Sequence, residues 1–227
     1  MVNLGKERRE ARLKETVTLD SLLSSKLYNL TIFGVVLYGL IINIVMCIAF
    51  KDVALTMNLA VICVLYLVLC IAGIVIINFA KTALGSFIGY NFIIVPFGFI
   101  ISATVGQLLE TNTEVVFQAI LLTTIITLCM TVLGIIRPEF FSRLGGVLFA
   151  GLISLIVAEL ILLILGVDQI ITSWISAGLF SLYIGFDVWR AQQYPKTFRN
   201  AVNSAVDLYL DIINLFMDIL SIIGDAD

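Results

Sequence analysis

Residues 204–220 read SAVDLYLDIINLFMDIL, a run of Leu, Ile, Val, Phe and Met interrupted by Asp207, Asp211, Asn214 and Asp218. Extended both ways, the polar positions are Ser204, Asp207, Asp211, Asn214, Asp218, Ser221 and Asp225, spaced alternately by 3 and 4 residues. On an α-helix that spacing keeps them on one face, because a 3.5-residue period drifts by only ~20° per heptad. From Ser204 to Asp225 the face rises about 31 Å, the thickness of the hydrocarbon layer of a bilayer. Leu208, Leu210, Ile212, Ile213, Leu215, Phe216, Ile219 and Leu220 occupy the other sides. Helices lying at a membrane surface carry Lys and Arg on their wet face, and this segment has neither. A carboxylate at mid-bilayer costs at least ~2.5 kcal/mol, so three of them are expected to serve a function. The segment reads as the middle helix of a membrane bundle, its acidic seam turned toward a cavity.

The rest of the chain supports a lipid solvent. Of 227 residues, 61% are hydrophobic and 13% charged, against roughly 25% charged in soluble domains. Apolar runs of about the ~20 residues needed to span occur at 27–50, 53–79, 87–107, 115–136, 144–165 and 170–189, and the acidic segment 201–223 is the seventh. The expected fold is an all-α integral membrane protein with seven transmembrane helices. It comprises a basic cytoplasmic N-terminal arm (1–26), a single membrane domain (27–223) and a short acidic tail (224–227). The first run is too long for a signal-peptide core and is read as a retained span. Lys and Arg number six in the arm, then one, one, none, two, none and three in successive connections. An N-terminus inside puts twelve of the thirteen on the cytoplasmic side of a multi-pass protein in the cell membrane. A six-span arrangement, with the acidic segment re-entering, is compatible with the same count.

Several function classes drop out. The arm's KERREARLKE, residues 6–15, alternates in sign and reads as a solvated, partly helical arm; no nucleic-acid module follows it. Cys47, Cys63, Cys70 and Cys129 lie in apolar runs without a Cys-x-x-Cys pair and read as small core residues. The chain has no His, which removes Ser-His and Cys-His nucleophiles and the His-based zinc and haem sites. No Walker-type phosphate loop is present. Any chemistry has to come from carboxylates, and no enzyme activity is expected. Ala177, Ser181 and Gly185, like Gly85 and Gly89, recur every four residues and suit close helix packing. Pro96 removes a backbone hydrogen bond within the third run and is expected to shape a cavity.

Asp187 ends FSLYIGFD (180–187) at the cytoplasmic end of the sixth run, and Asp211 lies part-way into the seventh. In an antiparallel hairpin the two meet. Two buried carboxylates in contact cannot both ionise cheaply, so the pair tends to share a proton and works as a proton-sensitive latch. The competing reading of Asp187 is a helix-end acid paired with Arg190. Glu110, Glu159 and Asp218 fall toward the outer side, where oxygen ligands suit calcium. They form an expected vestibule, with Asp207 and Asn214 completing the seam that leads to the Asp187 and Asp211 gate.

FSLYIGFD, followed 24 residues after its Asp by that of LYLDIINLF, resembles the closing signature of the Bax inhibitor-1 family, the transmembrane Bax inhibitor motif proteins. The resemblance extends loosely over all seven runs and implies a seven-helix fold with the last helix enclosed by the other six. It also implies a pH-dependent calcium leak controlled by an aspartate pair, here Asp187 and Asp211. Calcium is then the permeant ion, held transiently by the pair, with no tightly bound cofactor; the partners are protons, the lipid bilayer and, by analogy with some bacterial relatives, a membrane protease. The chain departs from the pattern in three places. Lys81 stands alone where relatives carry a basic cluster, Asp207 replaces a small polar residue, and Glu159 is an added acid. Three rival readings remain: a non-conducting regulator, a proton-coupled transporter, and an aspartyl intramembrane hydrolase, ranked behind the regulator because its Gly-rich flanks are missing.

Overall fold

The structure, a computed structural model, describes residues 10, 12–13, 22–167 and 170–226. Among them are eight helices of more than a turn: α1 (Ser25–Thr56), α2 (Leu59–Phe79), α3 (Ala83–Thr111), α4 (Thr113–Ile136), α5 (Pro138–Ser142), α6 (Gly145–Leu165), α7 (Ile170–Ala191) and α8 (Phe198–Ala226). No strand occurs among the described residues. Five helices, α1, α3, α4, α6 and α7, are long and apolar enough to cross a membrane, and Val64–Phe79 of α2 is a shorter apolar stretch. The expected seven is thus met by apolar character in five. α8 falls outside because Arg199, Asp207, Asp211, Asp218 and Asp225 interrupt it.

Local signals set the ends. Ser24 caps α1, its hydroxyl accepting from Leu27 N at 3.2 Å. Pro138 opens α5, where a missing N–H costs nothing. Gly166, at φ +66°, ends α6 in the left-handed conformation, and Val167 N closes onto Leu162 O at 3.0 Å. One boundary differs from expectation. Lys51 and Asp52 do not divide the first two runs, because α1 continues through them to Thr56. The stem of Lys51 lies along α3, where a Cβ on Gly106 would come within 2.6 Å of its Cγ, so the charge is carried on an apolar stalk.

The chain divides into two compact units. The first contains residues 1–107 and 191–207, thus α1, α2, most of α3 and the start of α8. Tyr28 and Tyr90 are fully buried in it. Their hydroxyls donate to Ala191 O at 3.0 Å and Val35 O at 3.3 Å. α2 and α3 approach through Gly73 and Gly89, where a Cβ on Gly73 would sit 2.6 Å from Gly89 O. Of the two glycines singled out in that run, Gly89 makes the close approach. Pro96 lines a small apolar pocket with Met57, Ile62, Leu65 and Phe99.

The second unit contains residues 108–190 and 208–227. Phe141, Leu148 and Phe186 form its buried cluster, packed by Met130, Leu179, Leu182 and Trp189. Here α4 and α7 touch backbone to backbone: a Cβ on Gly134 would lie 2.5 Å from Gly185 O. The Gly185 end of the small-residue stripe therefore packs helices, as its spacing suggests.

Large apolar side chains cover the outside; Phe79 is 81% and Ile164 82% exposed. On a soluble protein such surfaces would aggregate, whereas in lipid they cost nothing. Cys70 is buried, but Cys129 lies on this outer surface and is not the core residue expected. Its run is apolar on all sides, so composition does not tell its inner face from its outer. α8 is the opposite case. From residue 201 to 220 no residue is exposed, and the burial runs round the whole helix.

Candidate functional site

The polar face of α8 is held at several levels by different partners. At its start, in the first unit, Asn200, Ser204 and Asp207 surround the side chain of Arg12. The guanidinium donates from Nε to Asn200 Oδ1 at 3.1 Å and from Nη1 to Asp207 Oδ2 at 3.2 Å. From Nη2 it reaches Asn200 O at 3.1 Å and Ser204 Oγ at 2.8 Å. Its Cζ lies 3.8 Å from the centre of the Tyr194 ring. Arg12 is only 3% exposed, so the expectation of a solvated arm fails at this residue. The reason is charge: an acidic helix face needs a cation, and a planar guanidinium satisfies several oxygens at once. Asp207, expected along the cation seam, is thereby ion-paired.

Further along, in the second unit, lie Asp187 on α7 and Asp211 on α8, 5% and 7% exposed. Arg190 Nη2 donates to Asp187 Oδ2 at 2.9 Å, one helical turn away on α7. The Arg190 guanidinium also lies over the Phe186 ring at 5.3 Å. Both carboxylates, and Arg190 as well, act electrostatically on the Tyr183 hydroxyl, which gathers Tyr183, Asp187, Arg190 and Asp211 into one neighbourhood. The helix-end pairing of Asp187 with Arg190 is present in this structure. Tyr183 lies near the two acids and was not expected there; its i−4 spacing from Asp187 on the same helix was the available signal.

Asn214, half-buried, donates from Nδ2 to Leu210 O at 2.7 Å within its own helix. One turn on, Ser176 Oγ of α7 donates to Asp218 Oδ2 at 2.5 Å, and Ser173 Oγ meets Ser221 Oγ at 3.5 Å. Glu159 of α6 lies within electrostatic reach of Asp218. Two of the three expected vestibule acids are thus near each other in the second unit. Glu110 belongs to α3, and its side chain lies outside the described residues. Ser173 and Ser176 were not expected at the site. Their spacing matches one face of α7, but hydroxyls in an apolar helix more often bond their own backbone, as Ser181 does to Ala177 O at 2.7 Å.

Among the described residues no three His, Cys, Asp or Glu side chains are grouped to hold a metal ion. The arrangement offers instead a sequence of oxygens along one helix face, with carboxylates at three levels, Asp207, Asp211 and Asp218.

Comparison with known proteins places the chain in a family. The family described as inhibitor of apoptosis-promoting Bax1 matches residues 20–227. A protein of Helicobacter pylori is 39% identical over 112 residues, 48% of this chain and 47% of its own length. A Vibrio cholerae membrane protein is 38% identical over 112 residues, 48% of this chain and 49% of its own. A Streptococcus pyogenes membrane protein is 34% identical over 138 residues, 57% and 59% of the two chains. The match spans about half the length of these curated relatives. With the family match running from the start of α1 to the last residue and covering both aspartate segments, the chain belongs to the Bax inhibitor-1 family.

Proposed function

We propose that the protein is a pH-gated calcium leak in a cell membrane, closed and opened at Asp187 and Asp211. The observation that carries the reading is the burial of these two carboxylates in one unit, both within electrostatic reach of the Tyr183 hydroxyl. Burying two acids together is costly, and a shared proton lowers the cost only while the pair stays closed. Proton loss sets up repulsion, which separates the helices or draws in a cation. The sign follows: flux is low in acid and rises as pH is raised.

The route runs along α8 past Asn214 to Asp218 and Glu159, with Glu110 contributing to the outer mouth. Oxygen groups set loosely suit an ion that must bind and then leave. In this arrangement α1 to α4 and α6 to α8 are seven spans, α8 is the enclosed one, and the cation-rich N-terminus is cytoplasmic. The absence of exposed residues between 201 and 220 supports the enclosure.

Calcium uptake into proteoliposomes across a pH series tests the proposal. A pH-independent leak counts against the gate. Absence of flux, together with co-purification of a membrane protease, would instead make the protein a non-conducting regulator. Glu159→Gln is expected to lower calcium flux several-fold and leave the pH midpoint in place, since Glu159 acts on Asp218, two turns along α8 from Asp211. A displaced midpoint in that series would contradict separate mouth and gate.

A further inference from the structure

The surroundings of Arg12 form a built site. Asn200 is fixed before any ligand arrives: its Nδ2 donates to Pro195 O at 3.0 Å and its backbone N–H to Thr197 Oγ1 at 3.1 Å. Its Oδ1 and carbonyl oxygen are thereby aimed at Nε and Nη2 of the guanidinium. Ser204 and Asp207, one and two turns on along α8, supply the hydroxyl and the carboxylate. Tyr194 closes one flat side, and all of Tyr194, Asn200 and Ser204 are buried. The connection carrying Tyr194 is itself tied down. Leu23 N donates to Lys196 O at 2.8 Å, Lys196 Nζ to Ser25 Oγ at 2.5 Å, and Gln192 Nε2 to Asn29 Oδ1 at 3.0 Å.

Four acceptors met by three nitrogens of one planar group, with an aromatic ring 3.8 Å from its central carbon, match a guanidinium and not an ammonium. An ammonium donates to three points of a tetrahedron and cannot satisfy both edges of such a fork while stacking on the ring. The acceptors belong to α8 and the ring to the segment before it, whereas the ligand comes from a position 188 residues before Asn200. The cup and its occupant are therefore separable.

We propose that Tyr194, Asn200, Ser204 and Asp207 constitute a guanidinium-binding site that Arg12 occupies in cis, and that this occupancy straps the N-terminal arm onto α8. When the strap is displaced, the site accepts a guanidinium group from solution. Its release uncovers oxygens of the acidic seam one helical turn before Asp211.

The test uses the full chain, with guanidinium chloride at low millimolar concentration as the probe and methylammonium chloride at the same ionic strength as control. Arg12→Ala is expected to unfold at a lower temperature than the wild type, by several degrees. Guanidinium should restore most of that loss and methylammonium none; adding Asp207→Asn to the variant should abolish the restoration. A second readout needs only wild-type protein. Guanidinium, by competing with Arg12, should speed cleavage of the arm by a glutamate-specific protease at Glu7, Glu10 or Glu15, and methylammonium should not. Equal effects of the two cations on either readout overturn the proposal, as does an arm cleaved at the same rate with and without guanidinium. Should Arg12→Ala fail to fold, the wild-type cleavage assay decides alone.

Discussion

Asp211→Asn is expected to flatten the pH profile of calcium flux, giving one nearly constant rate where the wild type rises with pH. The amide keeps the size of the side chain and can still hydrogen-bond, but it neither holds the exchangeable proton nor becomes charged. Two like charges brought together in a partly buried site repel by on the order of a few kcal/mol, and the Arg190 pairing with Asp187 offsets part of it. Removing one charge removes that driving force. Asp187→Asn is the less clean change, because it also takes the carboxylate away from Arg190 Nη2, now 2.9 Å from Asp187 Oδ2. That variant should lose stability as well as pH response, since a partly buried guanidinium is costly without its acid. Stopped-flow calcium indicator traces from vesicles, collected with a melting curve for each variant, separate the two effects. An Asp211→Asn protein whose flux keeps the wild-type pH midpoint would end the gate reading.

The largest structural effect is expected at Gly134. A methyl group there would meet Gly185 O at 2.5 Å and the Gly185 Cα at 3.3 Å, both backbone atoms that cannot turn aside. Gly134→Ala should cost on the order of 1–3 kcal/mol through overpacking, and Gly134→Leu should leave little monodisperse protein in detergent. Gly146→Ala on α6 is the matched control, since nothing lies within 4 Å of its added Cβ, and it should melt like the wild type. Size-exclusion profiles and thermal melts of the three variants check the prediction. Equal behaviour of Gly134→Ala and Gly146→Ala would show that α4 and α7 are not in backbone contact.

Much of this was legible in the residues. The 3-and-4 spacing placed Ser204, Asp207, Asp211, Asn214 and Asp218 on one face, because periodicity along a helix is a local property. The apolar runs located the helices for the same reason, although the first helix ran past Lys51 and Asp52, since an isolated charge with a long stem does not stop a helix. Partners from distant segments were not legible. Nothing in KERREARLKE singles out Arg12, and only the folded chain brings it to Asn200 and Asp207. Ser176 was hidden likewise, since its bond to Asp218 joins two helices whose relative rotation no single-helix pattern encodes. Gly134 stands alone among large apolar residues while Gly185 ends a small-residue stripe, and neither pattern reveals that the two oppose each other.

The bare contact of Gly134 with Gly185 also limits how the second unit can move. Side chains that interdigitate can change rotamer and let two helices slide, but peptide against peptide has no such slack. α4 and α7 are therefore expected to move as one body, a stator carrying Asp187. In the proposed gate, widening between the two aspartates is then a shift of α8 against that body, so spin labels paired across α4 and α7 should keep their distance while a pair across α7 and α8 changes it.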